Sequence, residues 1–399
     1  MADRDRPPGR AWPGRATRAE IDLDALAGNV RVLRSLLPFG ASLMAVVKAN
    51  AYGHGAPVIA REALAAGAER LAVATVGEAA ALRRAGIEAP VLILGAIDPV
   101  EARAALRNRL ELTVTTEEIL DALVEASSEL TLPEAARLHV KVDTGLHRYG
   151  AEPDLALALA RRITADSRFE LVGVYTHFAC ADEADDAFTR EQDAAFARWL
   201  DRMREHGIEP NLRHRTNSAG TLGGWTGEAG IARCGVSIYG IAPSPDAPLP
   251  AGMRPVMTLR SRIARVFDLH PGDTVGYNRT YRSEADERAA LVPVGYGDGY
   301  PRALSGIGSV SLGGQSAPVL GRVSMDQCVV RVPAGHAANT GDDVIAFGFD
   351  PSGVAPRAED VAALSGTIAY EVVCGIAPRV PRVYVRSGEI VEVDDPFGC

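Results

Sequence analysis

The run Met44-Ala-Val-Val-Lys48-Ala-Asn-Ala-Tyr52-Gly-His-Gly55 closes an apolar stretch on a lysine. A cation in that place must be paired, pushed toward its neutral form or used chemically, because an unpaired buried charge is costly. A desolvated lysine is a nucleophilic amine suited to Schiff-base chemistry. Position alone leaves a second reading open, in which Lys48 reaches past a strand end into water. Two other segments offer anion contacts. Ser218 supplies a hydroxyl in Thr216-Asn217-Ser218-Ala219. In Arg233-Cys234-Gly235-Val236 the glycine lets the N–H groups of Gly235 and Val236 come close to a ligand. Each segment alone also reads as a capping serine or a turn glycine.

The elements that must position these residues follow from periodicity. Short apolar runs at Leu43–Ala49, Arg70–Thr75, Val91–Gly95, Glu111–Thr115, Leu138–Asp143, Leu171–Phe178, Leu212–Asn217 and near Ala232 predict strands. Amphipathic stretches such as Gly77–Ala85, Glu117–Ala126 and Arg190–His206 lie between them. Parallel neighbours need crossover connections, and roughly eight such units fit a (β/α)8 barrel better than a doubly wound sheet. Lys48 then falls at the C-terminal end of the first strand, on the catalytic face. Ser218 and Gly235 fall in the loops after strands seven and eight, where barrels often hold phosphate.

The texture changes after Pro250. Runs at Thr258–Val266, Ala289–Val294, Ser309–Leu312, Gln327–Val332, Asp343–Phe347 and Val380–Val385 are separated by Gly, Pro and Asp turns, with one helical pattern at Ala358–Leu364. That pattern predicts an antiparallel β domain. The fold class is therefore α/β, an N-terminal TIM-type barrel followed by a C-terminal, mainly antiparallel β domain. The expected division is a loose tail over 1–18, a barrel over 19–252 and a β domain over 253–399. Ala242–Pro255, with its five prolines, serves as the linker.

Composition narrows the partners. A chain of 399 residues with 47% hydrophobic and 23% charged content is long enough for two cores. A net charge of -9 argues against nucleic acid or an anionic membrane surface. No apolar run is long enough to span a bilayer, and the Arg- and Pro-rich start lacks the apolar core of a secretory signal. Five scattered cysteines suit neither a disulfide framework nor a metal site, so a cytoplasmic location and no metal are expected.

Val47-Lys-Ala-Asn-Ala-Tyr-Gly-His-Gly55 resembles the cofactor-lysine signature of the alanine racemases at nine positions. The resemblance continues from Ala19-Glu-Ile-Asp-Leu-Asp24 to Val380-Pro-Arg382. It implies pyridoxal 5'-phosphate carried on Lys48, a homodimer with shared active sites, and racemisation of alanine that supplies D-alanine for cell-wall peptidoglycan. It also implies phosphate contacts from Tyr52, Asn217, Ser218, Gly235, Val236 and Tyr370, with His177 on the cofactor ring. Arg233, with His214 as its partner, matches the arginine that faces the pyridine nitrogen. An arginine donates without accepting and so keeps the ring a weak electron sink.

Racemisation removes a proton from one face of Cα and returns one to the other, most simply with two acid–base groups. Lys48 is one, and the resemblance implies Tyr277 of the partner subunit as the other. Read alone, Tyr277 is a β-turn aromatic. The resemblance further implies that Arg148 binds the substrate carboxylate, that Met325 and Asp326 line the substrate loop, and that Tyr296 narrows the entrance. Lys141 matches a lysine often carbamylated in the family. Asn278, Ser324, Gly297 and Arg18 depart from common family residues. Competing readings are a racemase of serine or basic amino acids, a decarboxylase of the same fold, and a lone-barrel cofactor carrier. Arg233 opposes the decarboxylase, and the β domain opposes the carrier.

Overall fold

A computed structural model describes residues 12–227 and 230–398. The strands are β1 (Arg18–Asp22), β2 (Ser42–Val46), β3 (Arg70–Val73), β4 (Val91–Ile93), β5 (Glu111–Val114), β6 (Ala136–Lys141), β7 (Phe169–Tyr175), β8 (Leu212–His214), β9 (Ile231–Cys234) and β10 (Met257–Arg262). From β2 to β9 they form one parallel sheet in the order β8-β7-β6-β5-β4-β3-β2-β9. A parallel bridge from Arg213 to Gly230 brings its two edges together, so the sheet is a nearly closed barrel. All eight expected barrel strands are present, each within a few residues of its predicted bounds.

Helices cover the outside for the reason the pattern gave. In Leu23–Ser35, Asp22 caps the first turn by accepting from Ala25 N–H at 2.8 Å, and Leu26, Val30 and Leu33 are fully buried. Each such side chain stabilises the fold by about 1.5–3 kcal/mol relative to exposure.

The second sheet has ten strands and is mostly antiparallel. It contains β10, the strand Arg382–Arg386 and, between them, β1. Here the structure differs from the expected division. β1 pairs with the C-terminal strands, although residue 19 onward was assigned to the barrel. Ala19 and Ile21 are fully buried there, and the chain crosses to the barrel only at Asp22. The expected loose tail also differs within its described part. Trp12 and Thr17 are buried, and Thr17 Oγ1 lies 2.9 Å from Ser261 Oγ. Residues 1–11 lie outside the described residues. The run expected at Thr258–Val266 is two strands, β10 and Arg265–Leu269.

Candidate active site

The C-terminal ends of the barrel strands surround a cavity of about 670 Å³. That volume suits a cofactor with a small substrate. Lys48, Tyr52, Lys141, Arg148, His177, Asn217, Ser218, Arg233, Gly235, Val236 and Tyr370 all line it.

The signature around Lys48 has a definite shape. Ala49, Asn50, Ala51 and Tyr52 follow the lysine with φ of 52°, 53°, 55° and 52°, one turn of left-handed helix. Such backbone costs L-residues about 1–2 kcal/mol each, so the surroundings must hold it. Glu78 accepts from Ala49 N–H at 2.6 Å with one carboxylate oxygen and from Ala74 N–H at 2.8 Å with the other. Asn50 Oδ1 accepts from Ala56 N–H, starting the next helix. His54 Nδ1 lies 3.0 Å from the Ala51 carbonyl and 2.9 Å from that of Tyr52. Burial pulls this imidazole down to about 4, so it is neutral and Nδ1–H donates. The glycines are needed because a Cβ at Gly53 would stand 2.3 Å from the Val373 carbonyl, and one at Gly55 1.8 Å from Tyr384 Oη. The motif is thus a strained turn that aims Lys48 and Tyr52 into the cavity.

Lys48 is half-buried. Desolvation first, and then the charge of Arg148, holds its amine below the ordinary lysine value. Lys141 is pulled down to about 7 by burial and by the cations Arg233 and Arg148. Among the described residues Arg148 makes no hydrogen bond or ion pair, so its planar fork is available to a carboxylate. Its guanidinium lies over the ring of Tyr149, 5.8 Å from the centroid.

Arg233 forms the floor. It is 2% exposed and donates to His214 Nδ1, His177 Nδ1 and the Thr176 carbonyl, each at 2.9 Å. Burial lowers it to about 10, still cationic at neutral pH. Desolvation, reinforced by Arg233, holds His177 well below its usual range, so it accepts as a neutral ring. At the opposite end Ser218 Oγ accepts from the N–H groups of Gly235 and Ser237 at 3.0 and 3.3 Å. A Cβ on Gly235 would stand 2.5 Å from Tyr52 Oη, so only glycine leaves this end open between loop backbone and phenol. Burial raises the Tyr370 hydroxyl to about 12, which keeps it a donor. An anion cradle at one end, a depressed lysine amine in the middle and a donor-only cation at the other fit pyridoxal phosphate.

Four expected site residues do not line this cavity. Tyr277, Met325 and Tyr296 are 71%, 53% and 42% exposed, and Asp326 is exposed beside Met325. They belong to adjoining loops of the β domain. Tyr296 N–H donates to the Ser324 carbonyl, Gly297 N–H to that of Met325, and Arg379 ties Asp298 to Asp326 at 2.8 Å each. The sequence reading missed Tyr149 and Cys374 in the wall and Glu78 behind Lys48. Glu78 carried a signal, since Thr75 and Glu78 have capping-box spacing. Tyr149 and Cys374 carried none.

These features define a class: barrel enzymes that hold pyridoxal phosphate through a lysine at the end of a strand. The models of the alanine racemase N-terminal and C-terminal domains match residues 21–243 and 256–384. An alanine racemase of Desulfovibrio desulfuricans is 43% identical over 92% of this chain and 98% of its own length. The crystal structure of alanine racemase from D-cycloserine-producing Streptomyces lavendulae is 40% identical, with a TM-score of 0.87 over 94% of this chain and 98% of that one. That of the Bacillus anthracis alanine racemase with bound L-Ala-P gives 36% and 0.89, covering 97% and 99%. The chain belongs to the alanine racemase family.

Proposed function

We propose that the chain interconverts L- and D-alanine with Lys48 and Tyr277 of the partner subunit as its two acid–base groups, supplying D-alanine for peptidoglycan. The observation that carries this reading is the pairing of a depressed amine at Lys48 with an exposed phenol at Tyr277 that its own cavity does not use. When bound, pyridoxal phosphate supplies the electron sink that makes the Cα–H of an amino acid acidic.

The chain's own groups do the rest. Ser218, Asn217, Gly235, Val236, Tyr52 and Tyr370 would hold the phosphate, and His177 would cover the ring. Arg233 would donate to the ring nitrogen without giving it a proton, which would limit the sink and disfavour side reactions. Arg148 orients the substrate carboxylate, and after burial its charge holds the Lys48 amine below its ordinary value, which favours proton transfer. Tyr277 of the partner subunit exchanges the proton on the opposite face. Tyr296, Met325 and Asp326 reach the same place from that subunit and restrict the side chain to about a methyl. The working unit is therefore a homodimer. A cytoplasmic location agrees with the free thiols Cys180, Cys234, Cys328 and Cys374. Among the described residues no helix is long and apolar enough to cross a membrane.

The test is a panel of single enantiomers of alanine, serine, lysine and arginine, assayed with and without added cofactor. Cofactor-dependent racemisation of alanine well above the others is expected. Equal or faster turnover of serine or a basic amino acid would replace alanine as the substrate.

A further inference from the structure

Beneath the cavity a line of polar side chains runs from Arg233 into the barrel interior, and beyond Arg233 the reaction above leaves it unused. Arg233 Nη1 donates to His214 Nδ1 at 2.9 Å, His214 Nε2 lies 3.1 Å from His139 Nδ1, and His139 Nε2 lies 3.2 Å from Glu111 Oε2. His214 and Glu111 are 1% exposed and His139 is 0% exposed. Arg70 and Arg137 grip Glu111 from the far side at 2.7 and 3.0 Å. Glu111 opens β5, whereas Arg233 stands next to the end of β9. The line therefore crosses the barrel from its N-terminal side to the catalytic face.

Its direction is fixed by chemistry. A guanidinium only donates, so His214 must offer a lone pair at Nδ1 and carry its proton on Nε2. That proton needs the lone pair of His139 Nδ1, which leaves the His139 proton on Nε2 for Glu111 to accept. Every bond then runs from cation to anion, an arrangement in which buried hydrogen bonds reinforce one another. Burial keeps both imidazoles below their ordinary value and neutral. Burial alone would raise Glu111, but the His139 hydrogen bond and the two arginines bring it down to about 2. Two neighbours are shaped to the line. Tyr175 stacks on His214 with centroids 4.4 Å apart, and a Cβ at Gly173 would stand 2.6 Å from His139 Nδ1.

We propose that Glu111 is a positioning residue for Arg233, fixing the tautomer of His139 and through it the place of His214, the ring that receives the guanidinium. Arg233 is thereby held where its remaining donor capacity faces the cavity. The effect on turnover rests on the assignment of Arg233 to the cofactor ring; the tautomer claim does not.

The experiment is ¹⁵N NMR of histidine-labelled protein, with and without cofactor, alongside steady-state kinetics. In the native chain His139 and His214 both show a protonated Nε2 and a bare Nδ1. Glu111→Leu, which takes the acceptor from His139 Nε2–H, should shift the His139 and His214 signals and lower kcat about tenfold, the scale of losing an outer partner of an oriented imidazole, with KM nearly unchanged. Glu111→Gln, whose Oε1 still accepts, should keep the His214 signal and most of kcat. Gly173→Ala, which wedges His139 away from His214 with Glu111 intact, should reproduce the shifted His214 signal and carries the test if Glu111→Leu does not fold. An unmoved His214 signal in Glu111→Leu or in Gly173→Ala would overturn the proposal. A moved signal with unchanged kcat upholds the hydrogen-bond chain and removes Arg233 from the cofactor ring.

Discussion

Lys48 and Tyr277 stand in opposite surroundings. The lysine projects from a strained turn braced by Glu78, Asn50 and His54, into a cavity where burial and then Arg148 depress its amine. The tyrosine is 71% exposed on a short turn whose next two residues, Asn278 and Arg279, have φ of 60° and 52°. One region is complete within the chain; the other has shape and chemistry but nothing to act on. Burial tunes a group that must hold a cofactor, whereas exposure leaves a group free to complete a second copy's site.

Substitutions can break that contrast at either end. The largest effect is expected from Lys48→Ala, which should remove cofactor absorbance and activity together in a spectrum and a racemisation assay. Tyr277→Phe should leave the absorbance intact while kcat falls about 10²–10⁴-fold in both directions, the range of a lost acid–base group. Near-normal turnover would make Tyr277 the turn aromatic it resembles in isolation. Gly55→Ala sharpens the buried side alone. Its Cβ would collide with Tyr384 Oη, so a loss of about 1–3 kcal/mol is expected in urea unfolding.

The smallest effect concerns pH. Glu111 is held at about 2 against an ordinary 4.5, so between those values the unfolded chain binds the extra proton. Its contribution to stability is full above about pH 4.5 and fades as pH falls toward 2. Urea midpoints of native and Glu111→Gln protein should converge across that window, and parallel curves would show that Glu111 is not depressed.

Much of this contrast is legible in the sequence, but unevenly. The barrel strands are short apolar runs between amphipathic helices, so period and punctuation locate them. No strand was expected at β1, and residues 19–22 were counted with the barrel, because the partners of β1, β10 and Arg382–Arg386, are more than 200 residues away, and pairing at that distance leaves no local trace. The lysine turn was recognisable as a motif, yet its left-handed backbone follows only from what surrounds it. The Glu111–His139–His214 line did leave a pattern. Arg137, His139 and Lys141 alternate along β6, putting three polar side chains on one face of a strand whose intervening residues are apolar.

The claim that one catalytic centre draws on two chains is tested most directly by co-expressing Lys48→Ala with Tyr277→Phe and assaying the purified mixed dimers. A dimer of the two variants holds one site with both defects and one with neither. Purified mixed dimers should therefore return about half of the native rate, and the unsorted random population about a quarter, although each variant alone is inactive or nearly so. Mixed dimers, demonstrated by mass, that stay as inactive as their parents would show that Lys48 and Tyr277 do not meet across an interface.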